Sequence, residues 1–276
     1  MGIQRDTAHP ASAALGKTAK SGSVDCLAID IGNTRTKVAV VRNGRVTHVC
    51  RAASNLPRPR QIESVLREAL GLRKVAGAAL ASVVPAVTDR WAAAAARLLD
   101  VPPLIVHGRL RLGIRMAYPH PERLGADRLA NVCGAYARYG APAIVVDFGT
   151  AATFDVISAR DEYVGGVIAP GLAMLSVALA QNTALLPVVS VHGRCAPVGK
   201  TTRQAIQIGV QIGYRGLVRE ILEYLYKMNG ISTARLVITG GVARRVMRGL
   251  KGLSFTIDPH LTLRGIANIF ELNRLS

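Results

Sequence analysis

The sequence predicts an α/β protein made of two copies of one unit. Each unit has a mixed sheet with helices on both faces, and a cleft lies between the halves. Three observations predict it. An apolar run ending in an Asp-x-Gly turn occurs twice, at Asp30 and at Asp147, 117 residues apart. Each copy continues as a three-strand meander and then a helix. Each is followed by further alternating strands and helices, the order that gives a mixed sheet with packed helices.

The first copy opens with the apolar run Cys26 to Ile29, a buried strand. The turn 30–34 follows, then a strand from Thr36 to Val41. Asn43-Gly44 is a strong hairpin signal and leads to a third strand, Val46 to Ala52. After Pro57 and Pro59, Ile62, Val65, Leu66 and Leu70 recur at helical spacing. Ala78 to Val84 reads as a strand, Trp91 to Leu99 as part of a helix and Leu104 to Val106 as a strand. A helix is expected from Leu129 to Tyr139.

The second copy repeats the order. Ala143 to Val146 is a strand, 147–150 a turn, and Ala152 to Ile157 the returning strand. A polar turn from Ala159 to Glu162 precedes a third strand, Tyr163 to Ile168. Pro170 and Gly171 open a helix bearing Leu172, Leu175 and Leu179. Leu236 to Ile238 is a strand, Gly240-Gly241 a turn, Val242 to Leu250 a helix and Leu253 to Ile257 a strand. The expected division is a leader at 1–23, a first unit at 24–139 and a second at 140–276. The leader mixes Ala, Ser, Gly, Lys and Pro without periodicity and lacks the apolar stretch of a secretory signal.

Composition narrows the class. Of 276 residues, 50% are hydrophobic and 19% charged, which excludes a disordered chain. No apolar run is long enough to cross a membrane. Cys26, Cys50, Cys133 and Cys195 form no CxxC pair, which points to a reducing cytoplasm. The net charge of +18 raises the question of a nucleic-acid partner. The bases are scattered, arginine outnumbers lysine 28 to 7, and only 4% of residues are aromatic. That profile argues against nucleic acid and for a general attraction of small anionic substrates.

Four motifs could carry chemistry. In the paired Asp-x-Gly turns, glycine lets backbone N–H groups approach phosphate oxygens. The aspartate can hold a hydrated cation against those oxygens. Asn33, Thr34 and Lys37 add donors and charge to the first turn, Thr150 and Thr153 to the second; either alone would pass for a polar hairpin. Gly125-Ala126-Asp127-Arg128 stands at a helix start, where Asp127 is either a cap or a proton acceptor facing the cleft. Gly240-Gly241 could let a nucleoside lie against backbone, or could be a tight connection. Gly199-Lys200-Thr201 mimics the end of a phosphate-binding P-loop. That loop needs glycine at 194, where Arg194 stands, so the spacing fails. No G-x-S-x-G elbow is present, so hydrolase chemistry has no support.

DIGNTRTK at 30–37, GADR at 125–128, DFGTAATFD at 147–155, GGVIAPGLAML at 165–175 and TGG at 239–241 together resemble the type III pantothenate kinase family. The likeness runs from Leu27 to about Leu272. The first and third segments are shared with sugar kinases and actin; their combination with GADR and GGVIAPG is specific. The resemblance implies a duplicated actin-like, ribonuclease-H-like fold. It implies ATP-dependent phosphorylation of the 4′-hydroxyl of pantothenate, the first step of coenzyme A synthesis, in the cytoplasm. It implies that Asp30, Gly32, Asn33, Thr34, Arg35, Thr36 and Lys37 bind ATP, with Asp30 near Mg²⁺ and Thr150 a further ATP contact. Asp127 becomes the proton acceptor, and Tyr118, Gly125, Ala126, Asp127, Arg128 and Thr202 contact pantothenate. Asp147 becomes the ligand of a monovalent cation, K⁺ or NH₄⁺. A homodimer is implied, with the substrate site near its interface. Relatives named Bvg accessory factors keep a regulatory reading as an alternative, and an actin-like structural ATPase is a third.

Overall fold

Alternation of side chains explains the centre of the first half. In β1, Cys26–Ile31, every residue is buried, so both faces must be covered. Leu27, Ile29 and Ile31 point to one layer, Cys26 and Ala28 to the other. The structure, a computed structural model, describes residues 25–193 and 195–274; the expected leader at 1–23 lies outside the described residues.

The chain continues through β2 (Arg35–Arg42), β3 (Arg45–Val46), β4 (Cys50–Ala53), α1 (Pro59–Leu70), β5 (Gly77–Ser82), α2 (Pro85–Leu99) and β6 (Leu104–Ile105). The first sheet has the order β3-β2-β1-β5-β6, with β4 also on β2. Then come β7 (Arg115–Met116), α3 (Ala126–Tyr139), β8 (Ala143–Phe148), β9 (Ala151–Ile157), β10 (Glu162–Pro170), α4 (Leu172–Gln181) and α5 (Thr202–Tyr226). The last elements are β11 (Arg235–Thr239), α6 (Ala243–Arg248), β12 (Thr256–Ile257) and α7 (Leu261–Asn273). The second sheet runs β12-β11-β8-β9-β10-β7.

The repeat is plain in the pairing. β1 lies antiparallel to β2 and parallel to β5; β8 lies antiparallel to β9 and parallel to β11. On the first sheet, Ile62, Leu66 and Trp91 from α1 and α2 cover one face. Leu129 of α3 with Ile266 and Ile269 of α7 covers the other. On the second sheet, Tyr214, Val218 and Leu222 of α5 and Val246 of α6 pack over Ile144, Val146 and Phe148. Val132 and Ala135 of α3 close the opposite face. α3 therefore serves both sheets.

Several elements differ from the sequence reading. The third strand of the first half breaks into β3 and β4. The strand at 253–257 shrinks to its last two residues. Two helices, α5 and α7, carry no expectation at all. α5 shows its signal in Ile206, Val210, Tyr214, Val218 and Leu222, a row of buried residues four apart. α7 follows the second copy in sequence but packs on β1, β2 and β5. It also lies against α3 without intervening side chains. A Cβ on Gly265 would stand 1.7 Å from the carbonyl oxygen of Ala130, so only glycine permits that approach.

Candidate active site

The strands β1 and β8 end alike. Asp30 and Asp147 are each the penultimate residue of their strand, followed by a tight glycine turn. The Gly32 N–H donates to the Arg35 carbonyl at 3.1 Å; the Gly149 N–H donates to the Ala151 carbonyl at 3.0 Å. Asn33, Thr34 and Arg35 stand exposed on the first turn, and Thr150 on the second. Thr36 behaves differently from its neighbours. It is wholly buried, and its hydroxyl donates to Ser54 Oγ at 3.1 Å. Ser54 donates in turn to the Gly32 carbonyl at 2.6 Å, and its own carbonyl accepts from the Trp91 indole at 3.0 Å. Thr36 thus holds the turn from beneath while its neighbours face outward.

The two carboxylates have different partners. Lys37 sits opposite Asp30 in the β1–β2 register, and its Nζ lies 3.2 Å from Asp30 Oδ2. Asp147 sits opposite Thr153 on β9 and beside Thr239 on β11. The hydroxyls of Thr153 and Thr239 are buried and have no hydrogen-bond partner among the described residues. Asn131 Nδ2 donates to Asp147 Oδ2 at 3.0 Å, while its Oδ1 accepts from the Thr262 hydroxyl at 2.8 Å. The acceptor-only carboxylate takes the NH₂ end of the Asn131 amide, and Thr262, on α7, holds the oxygen end. Burial pushes Asp147 up to about 6; Asn131 and Lys37 oppose the rise, and the charges of Asp30 and Asp127 add to it. Gly240 has φ +98°, and a Cβ there would stand 2.6 Å from Asp147 Oδ1 and 2.5 Å from the Phe148 nitrogen. The paired glycines thus leave Asp147 its room.

Asp127 lies in the first turn of α3, after Gly125 and the buried Ala126. Its Oδ1 accepts from the Arg128 N–H at 2.8 Å. Desolvation holds its pKa above the usual carboxylate range, opposed by that hydrogen bond and reinforced by Asp30. A carboxylate raised in this way is a better proton acceptor. Asn131 ties α3, which carries Asp127 in its first turn, to Asp147, and Lys37 pairs with Asp30 at the other turn.

Arg128 turns away from Asp127 to the buried Asp155, with Nη2 and Nε at 2.7 and 2.9 Å from Oδ1. Tyr163 completes this cluster, and the Tyr118 ring lies 5.7 Å from the Tyr163 ring. Thr202 is exposed at the start of α5, after the N-cap Thr201, and no hydrogen bond or ion pair joins it to these groups among the described residues. Sequence reasoning passed over Asn131, Thr262, Ser54, Thr239 and Asp155 as site residues. Asp155 carried a signal, being an aspartate in the middle of the apolar strand β9.

A family model described as type III pantothenate kinase matches residues 26–224. A type III pantothenate kinase of Roseiflexus sp. (strain RS-1) is 38% identical over 254 residues, 90% of this chain and 99% of that one. The enzyme of Thermomicrobium roseum is 37% identical over 251 residues, 89% and 96% of the two chains. That of Akkermansia muciniphila is 49% identical over 163 residues, 59% of this chain and 66% of its own. Among solved structures, a conserved Baf family protein from Campylobacter jejuni aligns with a TM-score of 0.58 at 19% identity, covering 91% of this chain and all of its own. Component A of (R)-2-hydroxyglutaryl-CoA dehydratase from Acidaminococcus fermentans aligns at 0.52 and 13% identity, covering 90% and 96%. Such distant likenesses speak for the fold, which is the duplicated actin-like α/β architecture. With its family match and full-length relatives, this chain belongs to the type III pantothenate kinase family, the ATP-dependent kinases that phosphorylate pantothenate in coenzyme A biosynthesis.

Proposed function

We propose that the three converging carboxylates divide the work of this kinase. Asp127 accepts the proton of the pantothenate 4′-hydroxyl on its carboxylate, whose Oδ1 also accepts the Arg128 N–H. The hydroxyl oxygen then forms its bond to the γ-phosphorus as the bond to the β-bridging oxygen of ATP breaks and ADP leaves. Asp30, Lys37 and the outward side chains of Asn33, Thr34 and Arg35 hold the phosphates and their Mg²⁺. Thr36 serves the same turn from below. Thr150 and the Gly149 turn meet the phosphates from the other side. Little covalent work falls to the chain; orientation and charge neutralisation supply the rate. The observation that carries this reading is that Lys37 meets Asp30 on the first sheet while Asn131, on the same helix as Asp127, meets Asp147 on the second.

Asp147 is the ligand of a monovalent cation, K⁺ or NH₄⁺. The donor set fits: a carboxylate without a lysine of its own, flanked by the unpartnered hydroxyls of Thr153 and Thr239, offers hard oxygens. Such a cation neutralises charge beside the phosphates. Tyr118, Gly125, Ala126 and Arg128 contact pantothenate. Thr202 comes to that site from a second copy of the chain. Exposed Ile168, Met174, Leu179, Leu185, Val188 and Ile212, near and on α4 and α5, support a homodimer through this region. The cleft lies between units 24–139 and 140–276, with α7 returning to the first sheet. No helix among the described residues is long and apolar enough to cross a membrane. Free Cys26, Cys50, Cys133 and Cys195 support a cytoplasmic setting.

The test is a coupled ADP-release assay with pantothenate. Asp127→Asn keeps the size of the side chain but cannot take the proton, and should lower kcat by about 10²-fold or more. Thermal melting should show it folded, since loss of a helix-start side chain costs only about 0.5–2 kcal/mol. Normal turnover by the folded variant would move the base elsewhere.

A further inference from the structure

The buried pair Arg128–Asp155 has a geometry that stability does not explain. Asp155 is 1% exposed, and its Oδ1 collects three donors: Arg128 Nε at 2.9 Å, Arg128 Nη2 at 2.7 Å and the Tyr163 hydroxyl at 3.0 Å. Its Oδ2 is buried without a partner among the described residues. A buried ion pair contributes little net stability, because desolvation offsets the attraction. An orphaned carboxylate oxygen adds a further cost.

The donors of Arg128 show what the arrangement achieves. A guanidinium has five N–H groups. Nε uses one on Asp155, and Nη2 uses two, on Asp155 and on the Tyr163 oxygen at 3.0 Å. The two N–H groups of Nη1 have no partner among the described residues, although the side chain is only 12% exposed. The backbone is shaped to allow this. A Cβ on Gly166 would stand 2.9 Å from Arg128 Nη2 and 2.0 Å from the Phe154 carbonyl. Arg128 is thus clamped on one edge and open on the other, one residue from the proposed base. Pantothenate carries its single charge on a carboxylate, remote from the 4′-hydroxyl.

We propose that Asp155, assisted by Tyr163, is a positioning residue for substrate: it orients Arg128 so that Nη1 receives the carboxylate of pantothenate. The proposal rests on the reading that 125–128 contact pantothenate. It makes the clamp a device for selecting an acid over its neutral counterpart.

The test compares pantothenate with its primary-alcohol analogue, in which CH₂OH replaces the carboxylate, in the full-length enzyme with saturating ATP. Asp155→Asn should raise KM for pantothenate by at least about tenfold, as loss of a charged hydrogen-bond partner does. Its effect on KM for the alcohol should be far smaller, so the preference for the acid collapses while kcat for pantothenate changes less than KM. Tyr163→Phe keeps the ring and removes one hydroxyl. It should shift the same ratio in the same direction by about two- to fivefold. Equal KM changes for both compounds, in either variant, would overturn the proposal and leave the pair a brace between α3 and β9. If Asp155→Asn does not fold, Tyr163→Phe decides. An Asp127→Asn enzyme with normal kcat would instead overturn the assignment of the base, a separate outcome.

Discussion

The two glycine turns descend from one pattern yet answer the same electrostatic problem differently. In the first, the register of β1 and β2 sets Lys37 across from Asp30, 3.2 Å away, so the carboxylate has a cation built into the chain. In the second, the register of β8 and β9 sets Thr153 across from Asp147, and burial pushes that carboxylate up to about 6. The same backbone therefore carries a fixed cation at one turn and a carboxylate flanked by two threonines at the other. A lysine costs side-chain entropy to hold in place, but it is always present and does not exchange with the medium. In the proposed reading, an aspartate between two hydroxyls draws a mobile cation and makes turnover depend on it. Duplication supplied two equivalent positions, and their neighbours separate the chemistry: Lys37 and Ala81 beside Asp30, Thr153, Thr239 and Asn131 beside Asp147.

Breaking the first turn should have the larger effect. Lys37→Met leaves Asp30 facing the phosphates without its counter-charge. It should lower kcat/KM for ATP by about 10²-fold, the scale of losing one strong electrostatic contact at a reacting group. A loss under threefold would mean that Lys37 only braces the hairpin. Making the second turn resemble the first is the sharper experiment. Thr153→Lys places an ammonium opposite Asp147. Replacing potassium by sodium should slow the unmodified enzyme severalfold, and the variant should no longer distinguish the two salts. Persistent potassium stimulation in a folded Thr153→Lys enzyme would place the cation away from Asp147.

A third test uses pH. Burial pushes Asp147 up to about 6, so potassium stimulation should be constant from pH 7 to 8 and fade below about 6, as the carboxylate gains its proton. Stimulation unchanged at pH 5 would count against the assignment. The smallest effect concerns stability. A carboxylate raised from 3.8 to about 6 in the fold favours the native state in its neutral form. That contribution is fully present below 3.8 and is lost as pH rises through 6. Asp147→Asn, which cannot ionise, should therefore melt about 2 °C or more above the parent at pH 8 in potassium-free buffer. The gain should shrink below pH 6, and potassium should narrow it by stabilising the parent alone. Asn131 keeps a hydrogen-bond acceptor in the variant. A lower melting temperature at pH 8 would show that the ionised form is already compensated within the chain.

By itself, the amino-acid sequence determined the duplication, the meanders, both turns and the start of α3. These are short-range features: alternation along a strand, glycine where backbone closes on itself, an acid at a helix start. They also carry the family likeness, because ligand-facing backbone needs the same residues wherever the turn recurs. Only the tertiary structure decided which of those residues face outward. Thr36 lies in the turn motif but turns inward to Ser54, 18 residues away. Thr262 orients Asn131 across 131 residues, and Asp155 reaches Arg128 across 27. α7 closes the first sheet from the far end of the chain, where nothing local announces which sheet it joins. Hydrogen bonds and ion pairs of this kind depend on two side chains meeting in one buried place. A linear pattern records the side chains, and the packing of both sheets against α3 brings them together.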